Sequence, residues 1–241
     1  MEIKAYFKNR KDLVGWLVKQ LSILPDNICL KYLGVNEGVI NKRDVISEEK
    51  LLNEYIAENP QGFFAFSEGK ANANIEFENE YSSISMYCDD ESSGELALNV
   101  DKIFGSFIKY NAYYIYSALD LEFRNKNKAI VQQNTDTIEF WLGRDINRYL
   151  PGIYWRNWVS EEYQDFLKIN IHEVIDQAGL EEYDLGNGVY FGAGRTPDEF
   201  SQYCKGIEDV SENKNIFSMS KVNIESIASL VDVVKVKKDW A

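Results

Sequence analysis

Hydrophobic positions along this chain switch between a spacing of two and a spacing of three to four. The clearest alternation runs from Phe63 to Cys88. After the short apolar run Phe63–Phe66, Ala73, Ile75 and Phe77 alternate with Asn74, Glu76 and Glu78, and Ile84, Met86 and Cys88 alternate with Ser85 and Tyr87. A period of two with polar residues between predicts antiparallel strands that keep one face wet. Ile3–Phe7 and Ile28–Val35 read as further strands. From Lys11 to Leu24 the period lengthens, and Leu13, Trp16, Leu17, Leu21 and Leu24 mark a helix closed by Pro25-Asp26-Asn27. Ser47 offers a cap for a second helix through Ala57, and Asn99 for a third carrying Ile103, Phe107 and Ile108.

The pattern beyond is more mixed. Tyr113–Phe123 reads as a strand, although Tyr113, Tyr116 and Asp120 also share a helical face. Ala129–Leu142 predicts an extended pair broken near Asn134-Thr135-Asp136, after a basic turn at Arg124–Lys128. Ser160 can cap a helix that turns Tyr163, Phe166 and Leu167 inward. Ile171, Val174, Ile175 and Ala178 predict another, stopped by Gly179. Asn187-Gly188 predicts a tight hairpin between Tyr183–Leu185 and Val189–Phe191. Thr196-Pro197-Asp198-Glu199 has the form of a capping box ahead of Phe200, Tyr203, Cys204 and Ile207. Asn223 can cap a short helix with Ile224, Ile227 and Ala228, and Val231–Val236 reads as a last strand.

These elements predict an α+β fold of mostly antiparallel sheet flanked by helices. The strand-and-helix order recurs before and after about Asn111, which leaves two similar halves packed as one unit open. No residue-level repeat and no Pro/Gly/Ser-rich linker divide the chain, so one α+β domain over 1–241 is the simpler reading. Hydrophobic residues at 45% suffice for a sizeable core. Charge changes the picture more: 39 Asp and Glu against 26 Lys and Arg give −13. A field of that sign repels nucleic-acid backbones and anionic lipid and draws basic partners. Cys29, Cys88 and Cys204 are odd in number and far apart, which suits free thiols in a reducing cytoplasm. No apolar leader and no membrane-length apolar run is visible.

Catalytic signatures are thin. His172 is the one histidine; Asp176 follows four residues later, but no second histidine completes a zinc helix. Gly186 to Gly194 precedes Arg195 and a capped helix. It lacks the lysine and spacing of a phosphate loop, so turn chemistry is its plain reading, with anion binding at Arg195 the sharper one. Asp89-Asp90-Glu91 begins like a calcium loop, but Val100 stands where a bidentate Glu belongs. That removes calcium and leaves an acidic loop, Asp89 to Gly94. With Glu95, Glu76 and Glu78, and Glu80 beside them, it forms a candidate patch for a basic partner.

Arg144–Phe166 is the densest aromatic segment. Leu150-Pro151-Gly152 breaks the chain inside it, and Arg144, Arg148 and Arg156 interleave with Tyr149, Tyr154, Trp155, Trp158 and Tyr163. Rings of that size anchor cores, and with arginine they also form binding hot spots. Tyr149–Trp158, YLPGIYWRNW, resembles the Pro-Gly-hydrophobic-Tyr-Trp-x-Asn segment of bacterial polymorphic-toxin (contact-dependent) immunity proteins, the cytoplasmic antidotes encoded beside such toxins. The resemblance covers this motif and the α and β pattern around it. It implies a non-enzymatic inhibitor that binds a cognate toxin domain and needs no cofactor. In those families the motif serves as a structural signature, so it transfers no functional residues. An enzyme built on a carboxylate and arginine cleft, or a non-catalytic scaffold, are the alternatives that composition leaves open.

Overall fold

A computed structural model describes residues 1–36, 39–44, 48–69, 71–88, 96–119, 122, 128–133, 136–141, 146–217, 220 and 235–237. Ser47, Arg144, the turn at 124–127, the break at 134–135 and the helix expected after Asn223 lie outside the described residues, as does most of 231–236. The described chain is an α+β fold with a large antiparallel sheet and several helices, as its periodicity predicts. It groups into two compact units. The first holds Met1–Ser117, Trp158–Ser160 and Leu185–Gly188; the second holds Ala118–Asn157, Glu161–Asp184 and Val189–Ala241.

In the first unit, β1 (Glu2–Phe7), β6 (Ser82–Cys88), β5 (Ala71–Phe77), β4 (Gly62–Ser67), β2 (Leu30–Asn36) and β3 (Val39–Asp44) pair antiparallel in that order. β7 (Ala112–Ala118) lies on the other side of β1. Of the segment read as strand over Tyr113–Phe123, the part up to Ala118 is strand, and all seven residues of β7 are buried. β3 was not legible as a strand, because Asn41, Lys42, Arg43 and Asp44 are weak strand formers. Its pairing with β2 makes it one.

Register explains the helix layer. Ile3, Met86, Ala73, Ala65 and Leu33 are successive cross-strand partners, and so are Ala5, Ile84, Ile75 and Phe63. Both rows are apolar and buried. Helices α1 (Arg10–Lys19), α2 (Glu49–Glu58) and α3 (Val100–Lys109) supply the covering side chains. Trp16 of α1 stacks on Phe107 of α3 with centroids 4.3 Å apart, and Phe107 meets Phe7 edge-on at 5.8 Å. Tyr55 of α2 stands edge-on to Phe63 at 5.5 Å. Asn9 caps α1, accepting from the Lys11 N–H at 2.8 Å, and α1 ends earlier than its pattern suggested, passing into a 3₁₀ turn at Gln20–Ser22.

The second unit holds the hairpin of β11 (Glu181–Tyr183) and β12 (Val189–Gly192), with the Arg156–Asn157 half of β10 (Arg156–Val159) next to β12. It also holds the antiparallel set β13 (Lys235–Lys237), β8 (Lys128–Gln133) and β9 (Asp136–Trp141). Its helices are α4 (Glu161–Leu167), α5 (Ile171–Ala178) and α6 (Cys204–Asn213). Three expectations change here. The expected hairpin is present, but its first strand ends at Tyr183 and the connection is 184–188. A type I′ turn needs φ > 0 at both centres, and here Gly186 (φ 70°) and Gly188 (φ 137°) take the positive φ while Asn187 does not. The segment after Thr196 is a 3₁₀ helix, Pro197–Gln202, and the α-helix begins only at Cys204. Thr196 makes no cap bond; Glu199 instead accepts from the Arg195 N–H at 2.6 Å, one residue further back than a capping box. In α4 only Tyr163 turns inward, and Phe166 is 49% exposed, because so short a helix presents little more than one buried turn.

Phe107 joins α1, α3 and β1 and is fully buried. Phe107→Ala is expected to lower unfolding free energy by about 3–5 kcal/mol in urea titration. Leu98→Ala, at a site 88% exposed, should stay within about 0.5 kcal/mol.

Candidate interaction surface

The side chains alternating with the apolar rows form the other face of the first unit's sheet. One row runs Glu2, Tyr87, Asn72, Phe66, Tyr32; the next Lys4, Ser85, Asn74, Phe64, Gly34; a third Tyr6, Ser83, Glu76, Gly62. These rows mix carboxylate, ammonium, hydroxyl, amide and ring. The ring contacts of α1, α2 and α3 described above are all made with the opposite, apolar face.

Accessibility changes along the rows. At the β1 end Glu2 is 2% exposed, and Lys4, Tyr6, Ser83 and Ser85 are buried too. Towards β2, Tyr32, Phe64, Asn72 and Asn74 are half-buried and the Glu76 side chain is 34% exposed. Burial at the first end pushes the Tyr87 hydroxyl well above the ordinary tyrosine range, and the charge of Glu2 adds to the shift. Tyr6 stacks on Tyr114 at 6.1 Å and meets Tyr81 edge-on at 5.6 Å.

Glu76 is the charged centre of this face. Its Oε2 accepts from Lys4 Nζ at 3.3 Å and from Ser83 Oγ at 3.2 Å, and its Oε1 accepts from Asn74 Nδ2 at 3.0 Å. The expectation that Glu76 belongs to a wet face therefore has a definite geometry: a carboxylate held by three donors. Glu78 lies beyond β5, exposed, with its N–H on the Tyr81 carbonyl at 2.9 Å. Glu78 and Glu80 line a cleft with Lys8, Arg10 and Phe77, where the Arg10 guanidinium sits 3.7 Å from the Phe77 ring centroid and donates to the Ile56 carbonyl. Asp89, Asp90, Glu91 and Glu95 lie outside the described residues.

Most of the aromatic stretch's rings are buried, those of Tyr154, Trp155 and Tyr163 in the second unit and that of Trp158 in the first. Tyr154, Trp155 and Tyr163 are at most 1% exposed. Asn157 closes on Tyr154 in both directions: its Oδ1 accepts from the Tyr154 N–H at 3.0 Å and its Nδ2 donates to the Tyr154 carbonyl at 2.6 Å. Tyr163 donates to the carbonyls of Ile146 and Tyr149, at 2.9 and 3.1 Å. Glu122, 5% exposed, accepts the N–H groups of Leu119 and Trp155. These bonds tie the motif's residues into the fold.

Arg156 is 5% exposed and its guanidinium forks onto three carbonyls, those of Trp155 (3.2 Å), Gly194 and Arg195 (2.8 Å). It also lies 4.5 Å from the Trp155 ring centroid and 4.8 Å from that of Tyr183. Gly192 makes the approach possible, since a Cβ there would stand 2.7 Å from the Arg156 Nη1 and 2.4 Å from the Trp155 carbonyl. The glycine-rich segment therefore packs against an arginine of its own chain. Tyr183 reaches Gly194 O and Glu181 Oε2, and Tyr203 donates to Glu181 Oε1 at 2.8 Å. Arg195 is exposed; His172 pairs with Glu182 at 3.0 Å on the surface. Cys29 and Cys88 are buried, Cys204 is half-buried, and all three are free thiols. Arg156 and Glu122 were not singled out as structural centres from the sequence. An arginine and an acid within apolar, aromatic runs were the available signal.

Among the described residues, no helix is long and apolar enough to cross a membrane. No protein-family description matches the sequence, and no curated protein matches it. Among solved structures, a Pseudomonas aeruginosa T6SS protein is similar at 12% identity and a TM-score of 0.46, over 86% of this chain and 72% of that one. At that level the likeness assigns neither family nor function.

Two outcomes follow from the arginine cluster. Arg156→Lys should destabilise by roughly 2–3 kcal/mol in urea titration, because one ammonium cannot satisfy three carbonyls in a fork. Burial raises the Tyr183 hydroxyl from 10 to about 12. A raised folded value stabilises fully below pH 10, and the contribution is lost as pH climbs through about 12. Wild-type stability is therefore expected to fall more steeply over that window than that of Tyr183→Phe, measured by denaturant midpoint against pH.

Proposed function

We propose that this chain is a non-enzymatic immunity-type protein, one that neutralises a cognate bacterial toxin domain by covering it. The observation that carries the reading is the β2, β4 and β5 part of the first unit's polar sheet face, with half-buried rings and amides around a held carboxylate. Such a mixture of ring and polar group suits a protein interface, where aromatics supply contact area and polar groups fix register. The net charge of −13 favours a basic partner and speeds its approach. The Tyr149–Trp158 resemblance supports the same reading, and Leu150, Ile153, Tyr154 and Trp155 of that motif are buried in the second unit.

Occlusion is a stoichiometric mechanism. The inhibitor and toxin form a one-to-one complex over an interface of roughly 1,200–2,000 Å². Charge complementarity acts mainly on the association rate, so rising salt slows binding more than it speeds release.

The test pairs the purified protein with the toxin-like protein encoded beside its gene. A one-to-one complex is expected, with toxin activity falling in proportion to the amount added and association slowing as salt rises. Absence of a complex, or protection by amounts far below stoichiometric, overturns the reading; the second result points to catalysis.

A further inference from the structure

The geometry points to the β2, β4 and β5 side of this face as the place where the partner's basic side chain docks, with Glu76 as its anchor and arginine as the favoured residue. The inference rests on the partner-binding reading and adds the chemistry of one contact. Three observations carry it.

The first is that Glu76 is fixed before any partner arrives. Lys4, Ser83 and Asn74 hold both carboxylate oxygens, yet a third of the side chain remains exposed. A held, partly desolvated carboxylate binds a cation with little ordering cost, whereas a mobile surface Glu gains little from the same pair. The buried Glu2, two residues from Lys4 on β1, adds a second carboxylate to the same face.

The second is the space beside it. The cross-strand partner of Glu76 on β4 is Gly62, so β4 brings no side chain to that flank. The next residue of β4 on the same face is Phe64, half-buried, whose cross-strand partner is Asn74. A ring diagonal to a carboxylate across two strands is within reach of one long side chain. A guanidinium suits the pair, since it can lie flat on the ring while its edge donates to the carboxylate; an ammonium can do one or the other well.

The third is the surround. Asn72 and Asn74 present amides next to the anchor, and Tyr32 closes the row beyond Phe66. Amides give the partner's backbone hydrogen-bonding groups, while the rings exclude water around the charged contact. The patch thus combines a charged centre, a stacking wall and a polar rim within one sheet face.

Titration of the full-length protein with blocked arginine (N-acetyl-arginine amide), followed by backbone amide NMR, tests this directly. Shifts are expected at Phe64, Asn74 and Glu76, with blocked lysine weaker and blocked glutamate silent there. Glu76→Gln should remove the shifts at this patch. Phe64→Leu, which keeps bulk and strand, should abolish the preference for arginine over lysine. Shifts that avoid the patch, or that survive Glu76→Gln in a folded variant, overturn the inference. With the toxin as ligand, Glu76→Gln should weaken binding roughly tenfold or more, the usual scale for a lost charge-assisted contact. If the wild type binds toxin and Glu76→Gln binds it within twofold, the anchor is wrong and the proposed function stands. If blocked arginine binds the patch but no toxin does, the proposed function fails and the anchor stands.

Discussion

The first unit depends on the period of two in β1, β5 and β6. Once antiparallel pairing is set, every second residue must share a face, and a one-residue slip would exchange the two faces entirely. Ile3, Met86 and Ala73 fall in one row, and Glu2, Tyr87 and Asn72 in the adjacent row on the reverse side. Burying the first row under Trp16, Phe107 and Tyr55 fixes the register. The polar rows are buried at their β1 end and left half-buried towards β2. The same alternation that makes the core therefore defines the surface available for recognition.

The second unit is held differently. Its centre is polar: an arginine forked onto three carbonyls and an asparagine closed on Tyr154 within the aromatic stretch. A buried guanidinium costs much in lost hydration, and the cost is offset only when its donors find acceptors. Gly192 admits the approach, and the rings of Trp155 and Tyr183 bracket the cation. Such an arrangement is specific and intolerant. It tells where Arg156 must lie, and it keeps that arginine buried.

What the sequence disclosed follows from the same contrast. Period-two and period-three patterns are local, so β4, β5, β6, α1 and α5 could be read directly. β3 could not, because the residues of Val39–Asp44 are made a strand by their neighbour and not by their own preferences. The hairpin around Asn187 could be read, but not the length of its connection, in which Gly186 and Gly188 take the positive φ. Glu76 could be placed on a wet face from alternation alone. The bonds from Lys4 and Ser83 could not be foreseen, since those residues lie on β1 and β6 and meet Glu76 only through register, whereas Asn74 is its neighbour two residues back on β5. Likewise the arginines among the aromatic residues hinted at a hot spot, while the structure buries Arg156 and spends it on the fold.

Taken together, these two kinds of centre separate stability from recognition. Replacing Arg156 disturbs a buried network with no slack, so its effects are on folding. Glu76 sits at the edge of burial, where its partners orient the carboxylate without enclosing it. An ion pair wholly in solvent contributes little, and one wholly buried must first recover its desolvation cost. A carboxylate held by its own sheet and left one-third exposed lies between those limits, where a second cation gains most from a geometry that is already set. Recognition should therefore concentrate where exposure rises along the polar rows, at Glu76 and Phe64, and fade towards the buried β1 end where Glu2 and Lys4 are already enclosed.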